Sequence, residues 1–184
     1  MENIRVKEYL DIKIDRHPFY KSLNEKIIED AKMLEFYPPE DNYVFTNIKG
    51  SQYNFDAGKE PDSIKSILKW IEEDLNDLHL FSSSHRLAVS GRSFNYAGCW
   101  LAKYNKGDYT LKHWHYPSTF SFVYFVKSPK GSSPLVFSNS GKKVKSEEGK
   151  VVIFPGNMMH HVPKNNCNDR ITLAGNFSVI CPGY

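Results

Sequence analysis

The sequence has no long apolar run. None of its 184 residues belongs to a stretch of about 18 consecutive apolar positions, which argues against a membrane-spanning helix. The first residues, Met-Glu-Asn-Ile-Arg-Val-Lys, lack the apolar segment of a secretory signal peptide. We therefore expect a cytoplasmic protein without a membrane partner.

Cysteines and charge of one sign are also scarce. The three cysteines, Cys99, Cys167 and Cys181, are an odd number without C-x-x-C spacing, so we predict free thiols rather than disulfides or a cysteine zinc site. The 24 basic and 21 acidic side chains leave a net charge of +3, spread along the chain without a basic stripe. This distribution argues against a nucleic-acid partner.

Hydrophobic and aromatic residues are abundant enough for a real core. They make up 40% and 14% of the chain, and no repeat, linker or low-complexity tract interrupts it. We predict a single domain over residues 1–184, with an N-terminal helical capping region at 1–95 and a β-core at 96–184.

The N-terminal part contains two segments with helical periodicity. Residues 20–34 and 62–78 each place apolar side chains at intervals of three and four. Pro61 precedes the second segment, and Asp62 can cap its first turn. A short apolar stretch at 4–14 indicates a strand, and residues 41–58 are predicted as loop with a short strand.

From His85 onward, short strand-like runs alternate with Gly, Asn, Ser and Pro, which is typical of an all-β sandwich or barrel. Strands are predicted at residues 86–90, 96–104, 110–115, 119–126, 135–138, 150–154 and 170–180. This number of strands fits a jelly roll. The predicted fold is therefore mainly β with N-terminal helices, built on a double-stranded β-helix of the cupin-like type.

A candidate metal site begins at His113-Trp114-His115. Residues two apart in an extended strand face the same side, so the two imidazoles project together. The best third ligand is His160, which follows an apolar run and a turn; His161 replaces it if the strand register shifts by one residue. Imidazole suits iron, zinc, copper and nickel.

The other histidines have a plainer interpretation. A single histidine usually packs or lies at the surface, and we assign no chemistry to His17, His79 and His85. A structural or interaction protein, in which all the histidines only pack, is the alternative from a different class. The combined spacing of the three candidate ligands and the arginine that follows them favours a metal site.

Residues 170–180 predict a strand with one small polar face and one apolar face. Arg170 and Thr172 share the polar face. An arginine that points into a β-core is costly unless it meets an anion. A dicarboxylate co-substrate satisfies it, because the guanidinium fork binds a carboxylate and the Thr172 hydroxyl is a second donor.

Together these motifs resemble the 2-oxoglutarate- and Fe(II)-dependent oxygenases. The matching segments are Tyr-Asn-Lys-Gly at 104–107, His-Trp-His at 113–115, Phe-Pro at 154–155 before His160, and Arg-Ile-Thr at 170–172. More narrowly, the chain is similar to small oxygenases related to prolyl hydroxylases, of the type found in phages and marine bacteria. The resemblance covers residues 96–180, about half of the chain.

The resemblance implies a hydroxylase that uses Fe(II), dioxygen and 2-oxoglutarate on an amino-acid, peptidyl or other small-molecule substrate. It implies these site residues: His113, His115 and His160 for the metal and catalysis, and Arg170, Thr172 and Tyr104 for 2-oxoglutarate. The family's usual second ligand is Asp or Glu at the position of His115. With three neutral imidazoles, Fe(II) keeps a formal charge of +2 instead of +1.

A cupin is the second interpretation, since it shares the jelly roll and the three histidines. Gly107 and the His-x-His pair fit its first motif up to a Glu that residues 116–119 do not supply, and Gly149 followed by His160 fits its second. Cupins include dioxygenases, isomerases and binding modules, and they need no inward arginine. The position of Arg170, ten residues after His160, favours the oxygenase.

Overall fold

The computed structural model describes residues 10–37, 47–76 and 93–180. Within these ranges the helices are α1 (Tyr20–Lys32) and α2 (Asp62–Asn76). The strands are β1 (Lys13–Arg16), β2 (Ile48–Lys49), β3 (Ser51–Asn54), β4 (Ser93–Tyr104), β5 (Tyr109–His113), β6 (Phe120–Lys127), β7 (Leu135–Phe137), β8 (Lys143–Val144), β9 (Lys150–Pro155), β10 (His160–Val162) and β11 (Arg170–Ile180).

The strands form two antiparallel sheets. The major sheet has the order β1-β9-β6-β11-β4-β3, and the minor sheet has the order β2-β5-β10-β7-β8. Non-sequential neighbours such as β6 and β11 show that the chain crosses repeatedly between strands, as it does in a jelly roll. The predicted fold class, mainly β with N-terminal helices and a jelly-roll core, is confirmed.

The first 60 residues contribute strands to both sheets. β1 pairs with β9 and β3 pairs with β4, at the two edges of the major sheet, while β2 pairs with β5 at an edge of the minor sheet. The strand predicted at 4–14 was placed too early: residues 10–12 are not in a strand and β1 spans Lys13–Arg16, while residues 4–9 lie outside the described ranges. The division into a capping region and a core stays a prediction.

The two helices cover one face of the major sheet. The apolar stripe of α2, including Ile64, Ile67 and Ile71, is fully buried and shares a core cluster with Leu173 of β11. α1 is fixed by Asn24, whose buried amide donates to the Val126 carbonyl and accepts a hydrogen bond from the Tyr124 hydroxyl, both at 2.7 Å. Both predicted helices are present; residues 77 and 78 lie outside the described ranges.

β11 divides the molecule into its two sides, as the alternation of its residues predicts. Ile171, Leu173 and Phe177 pack into the helix-covered core, whereas Arg170 and Thr172 line a pocket between the sheets. The strand therefore supports the hydrophobic core with one face and presents polar groups to the candidate site with the other.

Several details differ from the sequence prediction. β5 ends at His113 instead of residue 115, and the short strands β8 and β10 were not predicted. The predicted strand at 86–90, together with His79, His85 and Cys181, lies outside the described residues. Cys99 and Cys167 are free thiols, as expected.

None of the helices in the described ranges is both long enough and apolar enough to cross a membrane.

Candidate metal centre

A β-bulge in β5 brings Thr110 and His113 to the same pocket. On the neighbouring strand β10, His160 pairs with His113 and Val162 pairs with Thr110, so β5 has one extra residue between the two pairs. A bulge of this kind resets the alternation of side chains. Both Thr110 and His113 consequently line the pocket although they are three residues apart.

His115 lies beyond the end of β5, in the turn that leads to β6. Its backbone N–H donates to the Gly156 carbonyl at 2.7 Å, and its carbonyl accepts from the Ser118 N–H at 2.8 Å. Its ring lies 5.6 Å from the Trp100 ring and 5.1 Å from the His160 ring, centroid to centroid. These contacts direct His115 into the pocket without the help of a strand.

The three histidines form a cluster in which one nitrogen of each lies within 4.8 Å of the others. The Nδ1–H of His113 donates to the Leu111 carbonyl, and that of His160 donates to the Met158 carbonyl, both at 2.8 Å. Because Nδ1 carries the proton in each ring, the lone pair of Nε2 is available to a metal ion.

Burial keeps these imidazoles neutral. Loss of solvent lowers the pKa of His113, that of His115 to about 4 and that of His160 to about 3, and the neighbouring imidazoles add to the shift for the last two. His160 is only 3% exposed. At pH 7 the cluster therefore offers lone pairs to a cation instead of holding protons.

Arg170 lies in the same pocket and is fully buried. Its guanidinium carbon is 4.5 Å from the centroid of the Tyr104 ring and 5.8 Å from that of Phe125. Within the described part of the chain, no group accepts a hydrogen bond from its three guanidinium nitrogens. Burial lowers the pKa of Arg170, but an arginine in a protein stays charged. A buried cation without an acceptor is unfavourable, and a bound anion would offset this cost.

The pocket joins the histidine cluster to Arg170 and has a volume of about 320 Å³. Thr172 lines it and is buried. The Tyr104 hydroxyl forms a 2.8 Å hydrogen bond with the Thr110 hydroxyl. The walls of the pocket also include the buried apolar side chains of Leu135 and Val162.

All six site residues predicted from the sequence line this one pocket: His113, His115, His160, Arg170, Thr172 and Tyr104. His161 instead pairs through Nδ1 with the Ser138 hydroxyl at 2.8 Å, so the register selects His160 for the cluster. The sequence did not identify Thr110, Trp100 and Asn54 as pocket residues, because the bulge and the fold of residues 47–54 leave no periodic signal.

No family model matches the sequence, and no curated protein matches it. Solved structures do match, along most of the chain. A viral collagen prolyl hydroxylase from Paramecium bursaria Chlorella virus-1, in its 2OG complex, has a TM-score of 0.65 at 16% identity and covers 90% of this chain and 94% of its own. A prolyl-4-hydroxylase from Pseudomonas putida has a TM-score of 0.65 at 18% identity, with 92% of each chain covered.

HygX from Streptomyces hygroscopicus, with nickel, 2-oxoglutarate and hygromycin B bound, has a TM-score of 0.63 at 11% identity and covers 92% of this chain and 83% of its own. The fold is that of the 2OG-Fe(II) oxygenases. For the fold, the resemblance to these oxygenases that the sequence motifs indicated is confirmed.

The residues of this oxygenase fold suit the groups that its neighbours bind. Three neutral imidazoles are donors that fit Fe(II), and the same set also suits nickel, copper and zinc. The buried guanidinium of Arg170, without an acceptor among the described residues, fits a carboxylate. A metal ion and a dicarboxylate would thus satisfy two groups that the protein alone leaves unsatisfied.

Proposed function

We propose that the protein is an Fe(II)- and 2-oxoglutarate-dependent oxygenase that hydroxylates an amino-acid, peptidyl or other small-molecule substrate. The observation that carries this proposal is the buried, unpartnered Arg170 in the same pocket as a three-imidazole cluster. Dioxygen is the further co-substrate. A cytoplasmic location and the absence of a nucleic-acid partner belong to the proposal as well.

His113, His115 and His160 would bind the iron as a facial set, which leaves positions open for exogenous ligands. The carbonyls of Leu111 and Met158 would hold two of the imidazole rings in place through their Nδ1 hydrogen bonds. Bound iron and 2-oxoglutarate would supply the oxidising chemistry, in which one oxygen atom of dioxygen enters the substrate as a hydroxyl, the other enters succinate, and carbon dioxide is released.

Arg170 would bind the distal carboxylate of 2-oxoglutarate with its guanidinium fork, and the Thr172 hydroxyl would donate to the same group. The Tyr104 ring positions the guanidinium from one side. Leu135 and Val162 are buried and apolar, and they would exclude water from the carbon chain of the co-substrate.

The structural neighbours support the use of 2-oxoglutarate as co-substrate. They include a collagen prolyl hydroxylase in its 2OG complex and a protein with 2-oxoglutarate and hygromycin B bound, so this fold serves both peptidyl and small-molecule substrates. Their identity to this chain is at most 18% for the structures compared above, so the substrate does not transfer from them.

The test is an anaerobic titration of the Fe(II)-loaded protein with 2-oxoglutarate, monitored by the visible metal-to-ligand charge-transfer band. We expect a band in the wild type, and we expect Arg170→Ala to need roughly a hundredfold more co-substrate, because the carboxylate loses its charged partner. Arg16→Ala is the matched control, since Arg16 is an exposed arginine paired with Glu147.

A cupin-type metalloprotein, acting as a dioxygenase, isomerase or binding module without 2-oxoglutarate, is the second candidate. The donor set of three imidazoles without a carboxylate favours it. Metal binding through His113, His115 and His160 without any charge-transfer band would exclude the oxygenase and leave the cupin. A protein that binds no metal would exclude both.

A further inference from the structure

Among the described residues, the walls of the pocket carry no carboxylate. Of the described residues that line it, none is Asp or Glu, and Arg170 is the one charged side chain once the three imidazoles bind a metal as neutral ligands. A divalent cation bound here would keep its full charge, because none of these lining residues supplies a carboxylate to offset it.

The charges in the proposed complex do not balance. Fe(II) and Arg170 together bring three positive charges into the pocket, and 2-oxoglutarate brings two negative ones. A carboxylate at the position of His115 would close this difference, but an imidazole that binds the metal brings no charge. One positive charge is thus left in a buried space, where an uncompensated charge is strongly unfavourable.

We propose that the substrate of this site is an anion, and that its single negative charge completes the balance of the pocket. This inference rests on the proposed function. At an effective dielectric constant of about 20, a charge some 5 Å from the metal gains on the order of a hundredfold in affinity over a neutral analogue. The absence of a carboxylate at the position of His115 would then be the reason that an anionic substrate binds more tightly than a neutral one.

The mouth of the pocket has donors that suit such a ligand. Asn54 of β3 lies directly opposite Trp100 of β4, and both line the pocket on the side of His115. Gln52 donates to the side-chain oxygen of Asn54, which leaves the Asn54 nitrogen as the group that can face a ligand. The indole N–H of Trp100 is a donor only.

The proposed ligand carries one negative charge, and it is either the carboxylate of an organic substrate or a small inorganic anion. The experiment uses the Fe(II) protein saturated with 2-oxoglutarate, without oxygen, and titrates it with acetate, acetamide and chloride. Binding is measured by calorimetry and by the shift of the charge-transfer band. We expect acetate to bind at least about tenfold more tightly than acetamide, which has the same shape without the charge.

The three probes distinguish a carboxylate substrate from an inorganic anion. Binding of acetate but not chloride indicates a carboxylate substrate, and equal binding of chloride indicates an inorganic anion; both results support an anion site. Acetamide that binds as well as acetate, or an absence of binding by all three probes, overturns the inference.

His115→Asp tests the cause by restoring the carboxylate, and the preference for acetate over acetamide should fall at least about tenfold. If this variant loses the metal, Asn54→Asp adds the negative charge at the mouth with the ligands intact, and Asn54→Ser removes the amide without adding charge. A preference for acetate that survives in an Asp variant that still binds the metal overturns the inference. A wild type without any charge-transfer band overturns the proposed function instead, and this inference with it.

Discussion

The guanidinium of Arg170 lies against the face of the Tyr104 ring, 4.5 Å from its centroid. The two residues are direct partners on β11 and β4, so the register of the sheet fixes this contact. A cation–π contact offsets only part of the cost of burying a guanidinium. The protein without ligand therefore holds an unfavourable charge, and we expect an anion to relieve it.

The first prediction concerns Arg170→Met. Replacement of a buried, unpartnered charge by an apolar side chain should stabilise the ligand-free protein by about 1 kcal/mol or more. In the presence of Fe(II), 2-oxoglutarate should raise the melting temperature of the wild type but not that of the variant. Thermal unfolding with and without co-substrate measures both effects.

Arg170→Lys is the matched control for this prediction. It keeps the buried charge and loses the fork, so it should be no more stable than the wild type and should still bind 2-oxoglutarate weakly. A ligand-free Arg170→Met variant that melts below the wild type would contradict the view that the charge is unfavourable.

The second prediction separates the ring of Tyr104 from its hydroxyl. Tyr104→Phe keeps the ring over Arg170 and should change 2-oxoglutarate affinity little, whereas Tyr104→Leu should weaken it by several-fold. Stability should respond to the hydroxyl instead, because the Tyr104–Thr110 hydrogen bond is buried. A double-mutant cycle with Tyr104→Phe and Thr110→Val should give a coupling of about 1 kcal/mol by urea unfolding. A coupling near zero would contradict the role of that hydrogen bond.

The third prediction is the pH dependence of the metal-free protein. In the unfolded chain His115 and His160 have pKa values near 6.5, but in the folded protein burial holds them at about 4 and about 3. As the pH falls below 6.5, the unfolded state takes up protons that the folded state cannot. Stability should therefore fall, by roughly 2 kcal/mol at pH 5 for each of the two histidines.

Urea midpoints of chelator-treated protein at pH 7 and pH 5 measure this loss. His160→Gln cannot be protonated, so its stability should fall less over the same range. An equal loss in the wild type and in His160→Gln would show that other groups cause the acid sensitivity.

The fourth prediction tests the contact between α1 and the turn before β9. Gly149 has a φ of +80°, and a Cβ at this position would overlap with the ring of Tyr20. Gly149→Ala should destabilise the protein by about 2 kcal/mol or more beyond the cost of the backbone conformation alone. Urea unfolding measures the difference.

Gly141→Ala measures the destabilisation that comes from the backbone conformation alone. Gly141 has a similar φ of +70°, but a Cβ there would have nothing within 4 Å. We expect a cost of about 1 kcal/mol for this variant. Equal effects of the two substitutions would mean that α1 moves away without penalty.

The chemistry of the site was easier to predict than its framework. The sequence could bring His113, His160 and Arg170 into one candidate pocket, because closely spaced histidines and an inward arginine are rare enough in a β-core to suggest specific ligands. The alternation along β11 also held from Arg170 to Phe177, because a long strand with one buried face has a strong period of two.

Other features depend on tertiary structure and leave little signal in the sequence. Thr110 faces the pocket because of a bulge that is defined by its pairing with β10, and strict alternation would have placed Leu111 there. β10 has three residues and β2 has two, which is too short for a periodic pattern. The position of Trp100 beside His115 depends on the turn after β5, which no local propensity determines.

The N-terminal strands link the edges of the major sheet to the lining of the pocket. β1 and β3 cover both edges of the major sheet, and Asn54, which lines the pocket, belongs to β3. A hybrid made by exchanging the N-terminal half with that of a distant homologue would replace the edge pairing and the pocket mouth in one step. Only partners that preserve the registers Lys13 to Ile153 and Tyr53 to Leu101 should yield a well-folded hybrid, and its specificity would follow the donor of that half.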